Sequence, residues 1–288
     1  MYDILIGPFV EFEFMRRALV GTVALALGGA PIGVFLMMRR MSLMGDAMAH
    51  AILPGAAVGY LLFGLALVPM TVGGIIAGFA VALAAGLAAR FTALKEDASL
   101  AAFYLMSLAL GVMIVSARGS NVDLFRVLFG SVLALDDPTL LMIAGIATVT
   151  LAALALLWRP LVLDCVDPGF LRSVSGSGTP VHLVFLALVV LNLVAGFHAL
   201  GTLLAVGLIM LPAIAARFWG GNITQIAAIA IIFGVVSGYA GLVLSYNMAS
   251  PSGPSIILMA GVIYLVSLAF GPRGGLVPTY WPGRHREA

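Results

Sequence analysis

Charge is scarce in this sequence. Asp, Glu, Lys and Arg make up only 9% of the 288 residues, whereas 62% are hydrophobic and the mean hydropathy is +1.17. Soluble globular domains carry about 25% charged residues. The composition therefore excludes a soluble domain of useful size and predicts an integral membrane protein. The net charge is only +2, and the charged residues are scattered between apolar runs. This distribution excludes the cluster of basic residues that a nucleic-acid-binding surface requires.

Cysteine and lysine are almost absent. Cys165 is the only cysteine, so an intramolecular disulfide is excluded, and we interpret it as a bystander in an inner loop. Lys95 is the only lysine, and it follows F-T-A-L and precedes Glu96. A nucleotide-binding loop requires G-x-x-x-x-G-K-[ST]. The chain therefore cannot bind and hydrolyse ATP in that way, and we predict that it is not an enzyme.

Nine apolar runs approach the ~20 residues that a membrane-spanning helix requires. They predict an all-α polytopic membrane protein, with residues 1–271 as one transmembrane domain and 272–288 as a polar cytoplasmic tail. Only A-L-G at 199–201 separates the sixth run from the seventh, so these two could form one span and a half-span, which would give eight. The runs are 14–38, 42–64, 69–91, 99–117, 138–158, 181–198, 202–219, 223–246 and 253–270.

The distribution of basic residues predicts the orientation. With the N-terminus outside, ten of the fourteen Lys and Arg residues fall on the inner side, as the positive-inside rule requires. We therefore expect the N-terminus outside and the C-terminus in the cytoplasm. The acidic start of the chain lacks the basic region of a cleaved signal peptide, so we expect the first span to be retained.

The stretch M-S-L-M-G-D-A-M-A-H-A-I-L-P-G at 41–55 is the most informative part of the chain. Asp46 and His50 are four residues apart, which places them on one helix face. Ionisable groups inside an apolar span are costly and usually mark a pathway or site. Pro54 and Gly55 then interrupt the helix. Counted from the inner end, His50 lies ~12 Å deep at 1.5 Å per residue, near the midplane of a ~30 Å hydrocarbon core.

We predict that Asp46 and His50 face a protein-lined cavity and touch a transported metal cation. Carboxylate and imidazole ligands suit Mn²⁺, Fe²⁺ and Zn²⁺. The alternative is a polar pair that hydrogen-bonds neighbouring helices.

Other candidate ligands have simpler interpretations. We expect His198 to be exposed at the outer end of the sixth span and His182 to be a solvated helix-end residue. His285 belongs to the polar tail, and Asn192 could hydrogen-bond within the bundle. The fourteen methionines are interpreted as fillers of irregular core space rather than soft-metal ligands; they include Met37, Met38, Met41, Met44 and Met48.

Two loops are longer than the others. The outer loop, 118–137, contains an apolar segment at 123–130 that is too short to span, and we expect it to be re-entrant or to lie on the surface. The inner loop, 159–180, has Asp167 as a candidate N-cap and Pro168 at the first helical position. It predicts a short amphipathic cytoplasmic helix.

Glycine pairs at 55/59 and 74/78 predict close helix contacts.

The motifs resemble those of the membrane permeases of bacterial ABC importers for zinc and manganese. The segment 39–55 resembles the family pattern R-R-x-S-L-x-G-D-A-x-x-H-x-x-L-P-G almost throughout, and the resemblance covers about 14–270. At 173–180, however, the chain reads S-V-S-G-S-G-T-P where the family usually has A-L-G-x-P. The other matching stretches are L-P-A-I-A-A-R at 211–217, L-S-Y at 244–246, P-S-G-P at 251–254, W-R-P at 158–160 and D-P at 167–168.

The resemblance implies a homodimeric permease in the bacterial inner membrane. It also implies a cytoplasmic ABC ATPase dimer and an extracytoplasmic metal-binding protein as partners. Asp46 and His50 would occupy the metal-pathway positions, and no resident cofactor is expected besides the transported Zn or Mn. The ATPase-coupling helix would comprise Asp167, Pro168, Gly169, Phe170, Leu171 and Arg172.

We therefore predict a permease that passes a divalent transition metal through a homodimer channel. The alternatives are a permease for an iron–siderophore or cobalamin complex, a gradient-driven metal carrier, and a purely structural membrane protein. A siderophore or cobalamin permease needs a wider channel without paired metal ligands. A gradient-driven carrier needs no docking helix, and a structural protein gives no reason to bury Asp46 and His50.

Overall fold

The computed structural model describes residues 5–64, 66–93, 96–116, 135–167 and 178–280, and within these ranges the chain contains helices and no β-strand. Apolar side chains dominate nearly every helix, as the composition predicts. In chain order the helices are α1 (Gly7–Glu11), α2 (Glu13–Met38), α3 (Met44–Ala51), α4 (Leu53–Phe63), α5 (Leu67–Phe91), α6 (Glu96–Ser116), α7 (Asp137–Val166), α8 (Gly178–Ala216), α9 (Ile223–Met248), α10 (Ser252–Phe270) and α11 (Leu276–Tyr280).

Eight helical stretches in the described ranges are long and apolar enough to cross a membrane, and a shorter apolar one, Gly201–Ala216, accompanies them. The all-α polytopic architecture predicted from hydropathy is thus confirmed. The eight are Glu13–Met38, Met44–Phe63, Leu67–Ala88, Asp97–Ile114, Asp137–Val166, Pro180–Phe197, Ile223–Met248 and Ser252–Phe270.

The sixth and seventh apolar runs are joined at a sharp bend in α8. Gly201 has φ 80° and ψ 166°, a backbone conformation that residues with a side chain rarely adopt. A Cβ on Gly196 would lie 2.5 Å from the Cβ of Ala205, although nine residues of straight helix would span ~13.5 Å. The two halves of α8 therefore fold back on each other. The nine-span and eight-span readings both stay predictions.

Glycines on α2 allow this helix to approach α8 closely. A Cβ on Gly33 would overlap the backbone oxygen of Ile209, and a Cβ on Gly29 would meet the Ile209 side chain. Beside them, Asn192 donates to Thr150 Oγ1 and to the Leu188 carbonyl, both at 2.8 Å. The expected hydrogen bond within the bundle is therefore present, and it joins α7 to α8.

Helix α7 continues further than the sequence predicts. The predicted span ends at residue 158 and a loop was expected from 159, but the helix runs through Pro160 to Val166. Packing outweighs the donor that proline removes, because Leu161 is fully buried and Val162 contacts the core. Cys165 therefore lies on a helix and not in a loop, which corrects that expectation.

Two predicted segments fall mainly outside the described residues. They are the outer segment at 123–130 and positions 168–172 of the proposed coupling helix. Asp167 directly follows α7 as its C-cap, is the last described residue before 168–177, and is exposed. Of the polar tail, α11 is described; the domain boundary at 271 stays a prediction.

Candidate functional site

A helix break separates α3 from α4 directly beyond His50. Helix α3 ends at Ala51, and α4 begins at Leu53 with Pro54 in its first turn. Proline has no N–H, so Pro54 cannot donate to the carbonyl of His50 as a regular helix would require. That carbonyl instead accepts from the N–H of Ile52. The interruption predicted from Pro54 and Gly55 is therefore present.

The two predicted metal ligands lie one turn apart on the same face of α3. Asp46 Oδ1 and His50 Nε2 are 3.7 Å apart, with side chains 63% and 24% exposed respectively. This separation exceeds the usual hydrogen-bond distance, so the two groups do not satisfy each other. Leu43, at the start of the same face, is 84% exposed. The face bearing Asp46 is thus open at the surface of the protomer.

Helix α6 supports the imidazole of His50. The ring stacks on Tyr104 at a centroid distance of 6.4 Å and an interplanar angle of 27°. One turn further along α6, Ser107 Oγ donates to the carbonyl of Ala51 at 2.9 Å. Within the described ranges, His50 Nδ1 is buried and has no hydrogen-bond partner. A buried nitrogen without a partner is costly, but the ring nitrogen that lies nearest Asp46 is the other one, Nε2.

The described part of one protomer offers an incomplete metal site. In the part of the chain that the structure describes, no group of three or more His, Cys, Asp or Glu residues could hold a metal ion. Asp46 and His50 therefore offer two ligands without a third. An exposed carboxylate facing lipid would cost about 2.5–3.5 kcal/mol on insertion scales. The open face consequently requires water or a second polypeptide.

The other histidines and the methionines fall mainly outside the site. The His198 side chain and His285 lie outside the described part of the chain. His182 is partly buried, with Nδ1 3.2 Å from Arg39 Nη1, so the expectation of a solvated residue was wrong. Met44 and Met48 are buried in the core, and Met41 packs against it, as core-filling side chains do.

Sequence reasoning missed one buried charge cluster. Arg39 Nη2 lies 2.6 Å from Asp164 Oδ2 and both side chains are largely buried, a pairing that no motif in the sequence predicts. Both residues do lie close to motifs that are recognisable in the sequence. Asp164 is three residues before the proposed coupling segment, and Arg39 opens the 39–55 motif. The tertiary pairing was not readable from spacing.

Comparisons with known proteins match nearly the whole chain. The ABC 3 transport family model matches residues 11–271. The chain is 30% identical over 279 residues to the manganese transport system membrane protein MntC of Halalkalibacterium halodurans, which covers 96% of this chain and 94% of that protein. It is also 30% identical over 279 residues to a protein of Haemophilus influenzae named as a probable iron transport system membrane protein, covering 96% of each chain.

A solved structure has the same fold. The structure described as PsaBC from Streptococcus pneumoniae in complex with Fab superposes with a TM-score of 0.86 and 26% sequence identity. The superposition covers 97% of this chain and 100% of that chain. The overall fold of this chain is therefore shared with that solved structure.

Proposed function

Because the chain belongs to the ABC 3 transport family, we propose that it carries manganese or zinc through a channel between two copies of itself. It is a multi-pass membrane permease subunit of a metal ABC importer and not an enzyme, since ATP hydrolysis belongs to a separate chain. Between the two metals, the names of the relatives favour manganese. The carried ion is cargo, and no resident cofactor is proposed.

The observation that carries this proposal is the spacing of Asp46 and His50 on α3. Metal–ligand bonds of about 2.0–2.2 Å place two donor atoms of one ion roughly 3–3.6 Å apart. Asp46 Oδ1 and His50 Nε2 are 3.7 Å apart, so a small side-chain adjustment would let both bind one ion. The carboxylate supplies charge to a cation that is losing water, and the imidazole supplies a nitrogen ligand that Mn²⁺ and Zn²⁺ both accept.

A second copy would complete the ligand set. Symmetric pairing brings the same surface of both protomers together, so a two-fold axis beside Asp46 would supply two carboxylates and two imidazoles. Four ligands suit zinc, and manganese adds water toward six. This arrangement also removes the cost of an exposed carboxylate in lipid. We therefore place the channel between the protomers, along the face that carries Leu43, Asp46 and His50.

The proposed path runs from the outer side to the cytoplasm. An extracytoplasmic metal-binding protein would release the ion at the outer face of the dimer in the bacterial inner membrane. Asp46 and His50 would replace part of its hydration near the midplane, where transporters often bind substrate beside broken helices. A cytoplasmic ATPase dimer would drive the reorientation through Asp167–Arg172. The exposed end of α7 at Asp167 and the resemblance support that docking position.

The test is uptake of ⁵⁴Mn²⁺, ⁶⁵Zn²⁺ and ⁵⁵Fe²⁺ by proteoliposomes that contain the permease, its ATPase and its binding protein. We expect uptake that requires ATP, with manganese fastest. In the Phe170→Asp variant we expect the ATPase to be lost on purification and uptake to be lost with it, because the substitution replaces a large apolar side chain with a carboxylate. Uptake driven by a proton or sodium gradient without ATP would favour the carrier, and transport of a siderophore or cobalamin instead would favour the wider-channel permease.

A further inference from the structure

A buried charge cluster joins the ends of three helices at the side where the proposed coupling segment begins. Arg39 is the residue that ends α2, and its side chain is only 7% exposed. Its Nη2 lies 2.6 Å from Oδ2 of Asp164 on α7, whose side chain is 13% exposed. Its Nη1 lies 3.2 Å from Nδ1 of His182 on α8, and its Cζ lies 4.2 Å from the ring centre of Phe185.

The donor and acceptor roles in the cluster follow from the guanidinium of Arg39. A guanidinium is always charged and only donates hydrogen bonds, so Nδ1 of His182 is the acceptor and the ring carries its proton on Nε2. The Phe185 ring that lies against the guanidinium packs edge-on against Phe35 at 6.2 Å, and Phe35 packs edge-on against Trp158 at 5.2 Å. In this environment the attraction between Arg39 and Asp164 is weakly screened by salt.

Stability alone does not account for such a pair. Well-packed apolar residues usually stabilise a fold as much as a buried ion pair does, because desolvation offsets the Coulombic gain. What the pair does provide is a fixed geometry, since neither partner can leave without exposing an uncompensated charge to an apolar interior.

The position of the pair links the two functional parts of the chain. Asp164 lies three residues before Asp167, where the proposed coupling segment begins, and Arg39 lies seven residues before Asp46. Between Arg39 and α3 the backbone makes a tight turn, in which Arg40 has φ 60° and the N–H of Met41 donates to the Leu36 carbonyl at 2.9 Å. These contacts give a route by which a displacement of the end of α7 would reach, through Arg39, the helix that bears Asp46 and His50.

We propose that the Arg39–Asp164 pair transmits movement of the ATPase-docking segment to α3 and so couples ATP hydrolysis to metal release. Both are positioning residues, and neither touches the ion. This inference rests on the proposed function. A pair with only a structural role would change how much complex folds, but not how much metal each folded complex moves per ATP.

The test measures metal transported per ATP hydrolysed by the reconstituted complex with ⁵⁴Mn²⁺. Asp164→Asn keeps the shape of the side chain and removes its charge. We expect the complex to assemble and hydrolyse ATP, while the ratio falls about tenfold or more, in the range of typical coupling energies. Asp164→Glu keeps the charge and should give a higher ratio than Asp164→Asn. Arg159→Gln, which removes an exposed charge from the same helix, should leave the ratio at the wild-type value.

The outcomes separate this inference from the proposed function. If the wild-type complex transports no metal with ATP, the proposed function fails and this inference fails with it. If the wild type transports and Asp164→Asn keeps the wild-type ratio, this inference alone is overturned. Should Asp164→Asn not be recovered as a complex, the ratio is measured on Arg39→Lys, which keeps the charge but not the fork that binds both Asp164 and His182. A wild-type ratio there also overturns the inference.

Discussion

His50→Ala is expected to lower metal uptake at least about a hundredfold, because changing residues that merely support a metal ligand already costs 10–100-fold. Asp46→Asn should have a similar effect, since it keeps the size of the side chain and removes the charge that compensates the cation. Uptake of ⁵⁴Mn²⁺ by cells that carry each variant, normalised to the amount of permease in the membrane, is the measurement.

The control for these variants is Leu156→Ala on α7. Leu156 is 82% exposed, has no ligand atom and lies on a helix outside the proposed channel face, so its truncation changes an exposed apolar side chain without changing the metal chemistry. We expect uptake close to wild type. If His50→Ala and Asp46→Asn also retain wild-type uptake at wild-type abundance, the two residues have no part in the pathway.

Gly55→Ala is expected to prevent normal folding, with a loss of about 3 kcal/mol or more, the upper end of the cost of overpacking a core. A Cβ on Gly55 would overlap the backbone oxygen of Gly73 on α5, and a Cβ on Gly73 would overlap that of Gly55. Both obstacles are backbone atoms, so no side-chain rotation can relieve them. Helices α4 and α5 would have to separate, directly beyond the break that follows His50.

The matched control is Gly86→Ala on α5, where a Cβ would meet nothing within 4 Å. Alanine is favoured over glycine within a helix by about 1 kcal/mol, so this variant should be as stable as the wild type or more so. The measurement is the thermal unfolding midpoint and the monodisperse yield of each variant in detergent. Equal midpoints for Gly55→Ala and Gly86→Ala would contradict the close packing of α4 on α5.

Local patterns predicted much of the fold. Hydropathy located the apolar helices, because a span must satisfy its own backbone groups within one segment. The break after His50 was also readable, because it depends on Pro54 and on spacing along a single helix. The contacts of Gly55 and Gly59 with α5 follow from their small size.

Features that depend on tertiary contacts were not readable. Helix α7 continues through Pro160 because Leu161 is buried and Asp164 meets Arg39, and nothing local encodes either contact. Arg39 and His182 are 143 positions apart in the chain, so their pairing was invisible to a search by spacing. The A-L-G separation located the bend at Gly201, but the packing of one half of α8 against the other was not readable.

The central claim is that two copies of Asp46 and His50 hold one ion between them. Equilibrium dialysis of the purified permease–ATPase complex against Mn²⁺, with the metal counted by mass spectrometry, tests it most directly. We predict one Mn²⁺ per two permease chains, with that ion lost in both Asp46→Asn and His50→Ala. Binding that is unchanged in the two variants, or one tightly bound ion in every single permease chain, would contradict the claim.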